Sequence, residues 1–262
     1  MTKHEKILER ISRLRLLDDI FMKKVFEDKA CTQLLLRIIM QKDDLVVEQV
    51  QTEYSVKNLQ GRSARLDILA SDRNGVQYNV EVQRAESGAG PRRARYNSSL
   101  MDVNITDPGD DYEALPECYV IFITETDVLR YSQPMYLIER TCRGLDVPFN
   151  DGSHIIYVNA QVQDSTPLGL LMQDFTCTNA ADMHYKELAQ RVRYFKEDGE
   201  GVKTMCWFTE EVLQEGRDEK AIETARRMLI RGKMTHEEIA EDLQLPISKV
   251  EALAQEMKAA EN

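Results

Sequence analysis

The chain has few cysteines, and their spacing suits neither a disulfide framework nor a zinc site. The five are Cys31, Cys118, Cys142, Cys177 and Cys206, an odd number with no C-x-x-C pair. Cysteines scattered in this way are typical of reduced, largely buried thiols. They favour a protein of the cytoplasm over a secreted one.

Long apolar runs are also absent. The most apolar stretches, CYVIFIT and HIIYV, have the length of strands, whereas a helix that spans a bilayer needs about 20 apolar residues. The first residues, MTKHEKILERISRL, are charged throughout and contain no apolar core of a secretory signal. We therefore expect a cytoplasmic protein without a membrane partner.

The chain as a whole has fewer basic than acidic residues, 34 against 45. The resulting net charge of −11 argues against a nucleic-acid partner. The exception is the segment from Val56 to Ile105, which carries eight basic and five acidic residues. Solvated surface charge explains such a bias as readily as a DNA-binding patch does. The basic residues of this segment are Lys57, Arg62, Arg65, Arg73, Arg84, Arg92, Arg93 and Arg95.

The residues that are present describe a globular α/β protein. Apolar residues make up 42% of the chain and charged residues 30%, which provides enough apolar material for a core. ILERISRLRLLDDIFMKKVFED repeats apolar residues at helical spacing and predicts one amphipathic helix over residues 7–28. CTQLLLRIIMQ and RRARYNSSLMDVNI predict further helices, and CYVIFIT and HIIYVNA predict strands. Strands framed by helices indicate an α/β fold.

We expect three parts along the chain: a core over residues 1–165, a helical extension that packs on it over 166–214, and a helical tail over 215–262. In the tail, Thr235 and Glu238 have the spacing of a capping box, and QLP provides the turn of a helix-turn-helix. A helical hairpin that packs on the body or on a partner explains the same pattern. The tail has eight basic and eleven acidic residues, which makes it a poor phosphate-binding surface. We expect the C-terminal helices to form a homo-oligomer.

The residues RLDILASDRNGVQYNVEVQRA, from Arg65 to Ala85, predict a β-hairpin that has carboxylates inside its strands. LDILA and VQYNVEV have the β-branched and apolar content of strands, and SDRNG between them has turn chemistry. A carboxylate within a strand is costly unless it is solvated, paired or bound to a metal. The positions of Asp67 and Glu81 therefore require an explanation.

Two turns are compatible with this hairpin, and they give different chemistry. A two-residue type I′ turn on Asn74 and Gly75 places Asp67 opposite Val82 and points Glu81 to the other face. A three-residue loop with a glycine bulge places Asp67 opposite Glu81, and Gln83 then shares their face because side chains alternate along a strand. Local propensity leaves both registers open.

In the second register, the two carboxylates repel each other unless a cation joins them. A hard divalent ion such as Mg²⁺, with Mn²⁺ or Ca²⁺ as alternatives, takes one or two protein carboxylates and keeps water and substrate phosphate as its other ligands. Asp67, Glu81 and the carbonyl of Val82 would supply the protein ligands. Uncharged Gln83 would orient a water or a phosphate oxygen. A partly exposed hairpin without a metal explains the same residues.

Four segments of the chain match the pattern of a known family. LDILASDRNGVQYNVEVQ has a D…E-x-Q signature, and LLDDIFMKKVFED has a D-x-x-F-K-x-x-F-like helix with Met22 where an aromatic residue is usual. RRARYNSSLMDVNITDPGDDYEALPECYVIFIT contains a helix, a Y-x-x-L-P loop and a strand, and YFKEDGEGVKTMCWFTEEVLQEGRDEKAIETARRML is a charged helix. Together they resemble the PD-(D/E)XK nuclease superfamily, in its branch of recombination-promoting nucleases and transposases.

The resemblance implies a restriction-endonuclease-like core, with a mixed central sheet flanked by helices, and a helical C-terminal extension. It also implies Mg²⁺-dependent hydrolysis of phosphodiester bonds in DNA, in recombination or mobile-element biology. Asp67 and Glu81 would be the metal ligands and Gln83 the third catalytic residue. Gln83 stands where the wider superfamily has lysine, which removes a positive charge near the developing phosphorane. Asp19 matches an acidic position of the branch, as an accessory site residue or a structural one.

Arginines near the hairpin are candidates for phosphate binding. Arg92, Arg93 and Arg95 begin a predicted helix, and a helix N-terminus with arginines suits a phosphate. Arg65 precedes Asp67 by two residues and would contact a phosphate or pair with Glu81. A solvated basic face explains the same arginines.

Three functions remain open from the sequence. The first is a metal-dependent DNA endonuclease. The second is a catalytically weak or inactive nuclease fold that binds DNA or a protein, and Gln83 is the residue that supports it. The third is a regulator that assembles through its long C-terminal helix and tail.

Overall fold

The structure, a computed structural model, describes residues 2–56, 64–85, 88–107, 109 and 111–260, so Lys57 and Arg62 of the basic segment lie outside the described residues. It forms two compact units, Met1–Met205 and Cys206–Asn262. The predicted division into three parts stays a prediction. Among the described helices, none combines the length and apolar character that crossing a bilayer requires.

Two helices occupy the residues for which the sequence predicts one. They are α1 (Lys3–Ser12) and α2 (Asp19–Phe26), followed by α3 (Lys29–Met40). The prediction of one continuous helix over residues 7–28 is therefore wrong. The apolar spacing continues through the break because Leu14, Leu16 and Leu17 in the connection are buried as well.

The break is stabilised by contacts with distant parts of the first unit. Lys196 donates hydrogen bonds to the carbonyls of Ser12 and Leu14, at 3.2 and 2.5 Å. The N–H of Arg15 donates to Asp18 Oδ2 at 2.7 Å. Helical spacing along the sequence contains no information about Lys196, so the break could not be predicted.

The first unit is built on a mixed six-stranded sheet with the order β1-β2-β3-β4-β8-β5. Strands β1, β2 and β3 are antiparallel, β3, β4 and β8 are parallel, and β5 pairs antiparallel with β8. A separate pair, β6 (Thr141–Cys142) and β7 (Val147–Pro148), lies outside this sheet. The strands of the sheet are β1 (Val47–Val56), β2 (Ala64–Asp72), β3 (Gln77–Gln83), β4 (Cys118–Thr124), β5 (Met135–Ile138) and β8 (Ser153–Asn159).

Helices cover the sheet and complete the core. Helix α4 (Pro91–Ile105) packs through Leu100 and Met101 on Val120 and Phe122 of β4. Helices α5 (Pro167–Thr176) and α6 (Lys186–Glu197) meet the N-terminal helices through aromatic pairs: Phe26 stacks on Phe175, and Phe21 meets Phe195 edge to face. The expected mixed α/β sheet flanked by helices, followed by a helical C-terminal region, is confirmed.

The second unit contains most of helix α7 (Gly199–Arg231), with α8 (His236–Leu243) and α9 (Ile247–Ala260). Ile239 and Ala240 of α8 and Val250 and Leu253 of α9 form a small core with Ala225 of α7. The predicted capping box is present, since Thr235 accepts from the N–H of Glu238 and Glu238 accepts from the N–H of Thr235. The tail is thus a helical hairpin packed on the C-terminal part of α7.

Candidate active site

The hairpin of β2 and β3 has the register that the three-residue loop predicts. Ile68 pairs with Val80 and Ser71 with Gln77, so paired positions sum to 148. The N–H of Asp72 donates to the carbonyl of Val76 at 3.1 Å. Gly75 has a φ of +84°, which a residue with a side chain adopts only with strain. The loop is therefore the three-residue turn with a glycine bulge, one of the two that the sequence left open.

Asp72 explains why this turn forms. Its Oδ1 accepts hydrogen bonds from the N–H groups of Asn74 and Val76, at 2.9 and 3.0 Å. Its Oδ2 accepts from the hydroxyl of Tyr78 at 3.0 Å. Aspartate at the first position of a turn often bonds to the backbone two residues later, and here it also reaches the start of β3. These three hydrogen bonds fix the register on which the site depends.

Asp67 and Glu81 converge where the regular ladder of β2 and β3 ends at Ile68 and Val80. Glu81 Oε1 accepts from the N–H of Asp67, and Asp67 Oδ2 accepts from the N–H of Val82, both at 3.3 Å. Each carboxylate thus bonds to the backbone of the opposite strand. Asp67 is 7% exposed and Glu81 fully buried. The two acidic groups that the sequence singled out do lie together.

Two cations flank this pair from different helices. Lys23 of α2 places Nζ 3.5 Å from Asp67 Oδ1 and also contacts Asp19 and Glu53. Arg93 of α4 donates from Nη2 to Glu81 Oε2 at 2.8 Å. Each carboxylate is therefore partly neutralised by one side chain.

The pKa values at this site are shifted by burial and by charge. Burial raises the pKa of Asp67, and the charges of Glu81 and Asp19 raise it further. Burial also raises the pKa of Glu81, although Arg93 opposes the shift. For Lys23, burial works against the charged form, but Asp67, Asp19 and Glu53 outweigh it and raise the pKa. Burial and mutual repulsion thus disfavour the doubly ionised pair, which a further cation would stabilise.

Gln83 packs against Gly88. A Cβ built on Gly88 would come within 2.0 Å of Gln83 Oε1, so the amide side chain occupies the space that the glycine leaves. The carbonyl of Gly88 accepts from Arg93 Nη1 at 2.9 Å. Gln83 and Arg93 thus both contact Gly88, and the predicted catalytic role of Gln83 stays a prediction.

The other predicted site residues are distributed around this centre. Asp19 accepts from Lys23 at 2.9 Å, and the same amine lies 3.5 Å from Asp67 Oδ1. Arg65 places Nη2 2.8 Å from Glu53 Oε1, whereas the guanidinium that binds Glu81 belongs to Arg93. The side chains of Arg92 and Arg95 are exposed on the first turns of α4.

Sequence reasoning missed Lys23 and Glu53 as members of the site. Lys23 follows Asp19 by one helical turn, and it is the lysine of the D-x-x-F-K-x-x-F-like motif. That motif could have identified it. No comparable signal marks Glu53, because its proximity to Lys23 and Arg65 depends on how β1 pairs with β2.

The donor set fits a hard divalent ion. Among the described residues, no group of three or more His, Cys, Asp or Glu side chains is arranged to hold a metal. Mg²⁺, however, needs only one or two protein carboxylates. Asp67 and Glu81 provide two buried carboxylates, and carboxylate oxygens are the ligands that Mg²⁺ prefers. In a β-strand, the N–H and the C=O of one residue point to the same side of the strand. Because the N–H of Val82 points to Asp67, its carbonyl points to that side as well.

Comparison with known proteins identifies the family. A search of the curated proteins and a search of the solved structures each give no significant match. A family model described as "PD-(D/E)XK nuclease family transposase" matches residues 16–169, which is more than half of the chain and includes α2, the β2–β3 hairpin and α4. The resemblance seen in the sequence is confirmed. The chain belongs to the PD-(D/E)XK nuclease family transposases.

Proposed function

We propose that this protein is a metal-dependent DNA endonuclease that hydrolyses phosphodiester bonds with Mg²⁺. The observation that carries the proposal is the convergence of Asp67 and Glu81 at the end of the β2–β3 ladder, each bonded to the backbone of the opposite strand. Two buried carboxylates in contact are costly for a fold. A divalent cation bound between them would explain why the fold keeps both carboxylates. Membership of a nuclease family supports this metal site.

The protein groups have distinct roles in this proposal. Asp67, Glu81 and the Val82 carbonyl would hold the ion. When bound, the ion would polarise the scissile phosphate and lower the pKa of a water nucleophile. Gln83 orients that water or a phosphate oxygen through its amide. Lys23 is a fixed positive charge beside Asp67 and partly compensates for the uncharged residue at position 83.

The DNA would lie over the start of α4. Arg92 and Arg95 are exposed there, at the N-terminus of a 15-residue helix whose partial positive charge also attracts phosphate. Contacts of this kind bind the DNA backbone and do not read sequence. We propose that the cleaved DNA is a substrate of recombination or of mobile-element transfer.

A plasmid-nicking assay tests the proposal. Wild type should convert supercoiled plasmid to nicked or linear DNA with Mg²⁺ or Mn²⁺. The rate of Asp67→Asn should be at least about 100-fold lower, because one of the two carboxylate ligands is gone. Asp44→Asn, an exposed carboxylate outside the site, is the matched control and should cut like wild type. Equal cutting by wild type and Asp67→Asn would contradict the proposal.

Gln83 favours a second candidate function, a nuclease fold that binds DNA without useful turnover. This alternative predicts DNA binding that weakens steeply with salt. It also predicts no metal-dependent nicking by the wild type, in the same assay.

A further inference from the structure

The two cations at the carboxylate pair differ in how firmly they are held. The side chain of Lys23 is 10% exposed, and that of Arg93 is 42% exposed. Lys23 contacts three carboxylates, with Nζ 2.9 Å from Asp19, 3.4 Å from Glu53 and 3.5 Å from Asp67. Withdrawal of this amine would remove the cation beside Asp67 and Asp19, whereas Glu53 would keep Arg65. Lys23 is therefore a permanent part of the site.

Arg93 contacts one carboxylate, whereas Lys23 contacts three. Its guanidinium donates to Glu81 Oε2 and to the carbonyl of Gly88, and it lies 6.0 Å from the ring centre of Phe122. The pair is asymmetric, because water can solvate the 42% exposed Arg93 side chain after it leaves, whereas the fully buried Glu81 carboxylate then needs another cation. Arg93 can therefore leave Glu81 at small cost if another cation takes its place.

Arg93 lies at the end of α4 over which we propose that DNA binds. It lies on the first turn of α4, next to Arg92 and close to Arg95. Both of those side chains are exposed, and we assign them to DNA phosphates. The planar guanidinium binds phosphate through two parallel hydrogen bonds, which makes arginine well suited to this exchange. One side chain thus lies within reach of both a metal ligand and the proposed path of the DNA.

We propose that Arg93 exchanges between these partners. It binds Glu81 when no divalent ion is present, and it binds a DNA phosphate once Glu81 is engaged by the ion. The inference rests on the proposed function and adds a form of regulation to the same site. Metal binding releases the arginine for DNA, and DNA that captures the arginine frees Glu81 for metal. Because coupling between two ligands is reciprocal, each should increase the affinity of the other.

The test measures Ca²⁺ and DNA binding by the full-length protein, so that no cleavage is needed. Calorimetry gives Ca²⁺ affinity without DNA at mildly alkaline pH, and fluorescence anisotropy gives the affinity for a short labelled duplex with and without Ca²⁺. Arg93→Met should bind Ca²⁺ roughly fivefold more tightly than wild type, because no ion pair has to break. The same variant should lose most of the Ca²⁺-dependent gain in DNA affinity.

Arg95→Met is the matched control, because Arg95 is an exposed arginine of the same helix and the guanidinium that binds Glu81 belongs to Arg93. It should keep the wild-type affinity for Ca²⁺ and the Ca²⁺-dependent gain, and lose only DNA affinity. Arg93→Gln provides a second neutral variant if Arg93→Met does not fold, and circular dichroism checks both.

Two failures are distinguishable. If wild type binds Ca²⁺ through Asp67 and the Arg93 variants bind it equally or more weakly, the exchange is contradicted and the metal site stands. If wild type does not bind Ca²⁺ at all, the proposed function is contradicted, and the exchange falls with it.

Discussion

At the scale of single residues, Asp67 and Glu81 are a cost to the fold. Both are buried, and burial raises both pKa values above those of ordinary carboxylates. The folded protein therefore holds protons at these groups that the unfolded chain releases from about pH 4 upward. Consequently, the free energy of unfolding that the pair contributes is highest at low pH and is lost as pH rises towards the folded-state pKa.

Asp67→Asn should stabilise the metal-free protein. We expect its free energy of unfolding to exceed that of wild type by about 1–2 kcal/mol at mildly alkaline pH, because one charge of a repelling buried pair is removed. The difference should shrink as pH falls and wild-type Asp67 becomes protonated. Urea unfolding at several pH values measures it, with Asp44→Asn as the control. A variant that is less stable than wild type across the whole range would show that Asp67 is primarily structural.

At the scale of elements, the β2–β3 turn fixes which residues meet. Asp72 binds two backbone N–H groups of the turn and the hydroxyl of Tyr78, and it is 7% exposed. A shift of one residue in the register would direct Glu81 away from Asp67. The turn therefore determines the geometry of the candidate site from a distance.

Asp72→Ala should destabilise the first unit by about 2–4 kcal/mol, since three hydrogen bonds are lost and their donors are left partly buried. Urea unfolding again provides the measurement, and Asp44→Ala is a matched loss of an exposed aspartate. A change in stability no larger than that of the control would mean that the turn forms without Asp72.

The sequence predicted local features of these elements better than long-range ones. Strands β2, β3, β4 and β8, helices α3 and α4 and the tail hairpin follow from periodicity and from capping residues, whereas β5, β6 and β7 were not predicted. The register remained open because the Asn74-Gly75 pair favours one turn, whereas Asp72 at the first turn position and Gly75 at the fourth favour the other. The break between α1 and α2 depends on Lys196, and Glu53 joins the site only through strand pairing. Both are contacts between distant parts of the chain, which residue spacing does not encode.

At the scale of the whole molecule, an acidic protein has its proposed catalytic pair inside a basic segment. The net charge of −11 disfavours non-specific attraction to DNA, so the arginines of α4 and the metal would have to supply the local attraction. Homo-oligomerisation through the C-terminal helices stays a prediction. Ile230 of α7 and Ile247 of α9 are exposed and would suit such a contact.

The most direct test of the account is a crystal structure of the full chain soaked with Mn²⁺, with anomalous difference maps for wild type and Asp67→Asn. We predict a peak in contact with the carboxylates of Asp67 and Glu81 in wild type, with Arg93 withdrawn from Glu81, and no peak there in the variant. A wild-type crystal soaked to saturation with Mn²⁺ that shows no peak at this pair, or a peak only elsewhere, would contradict the proposal that Asp67 and Glu81 bind the metal.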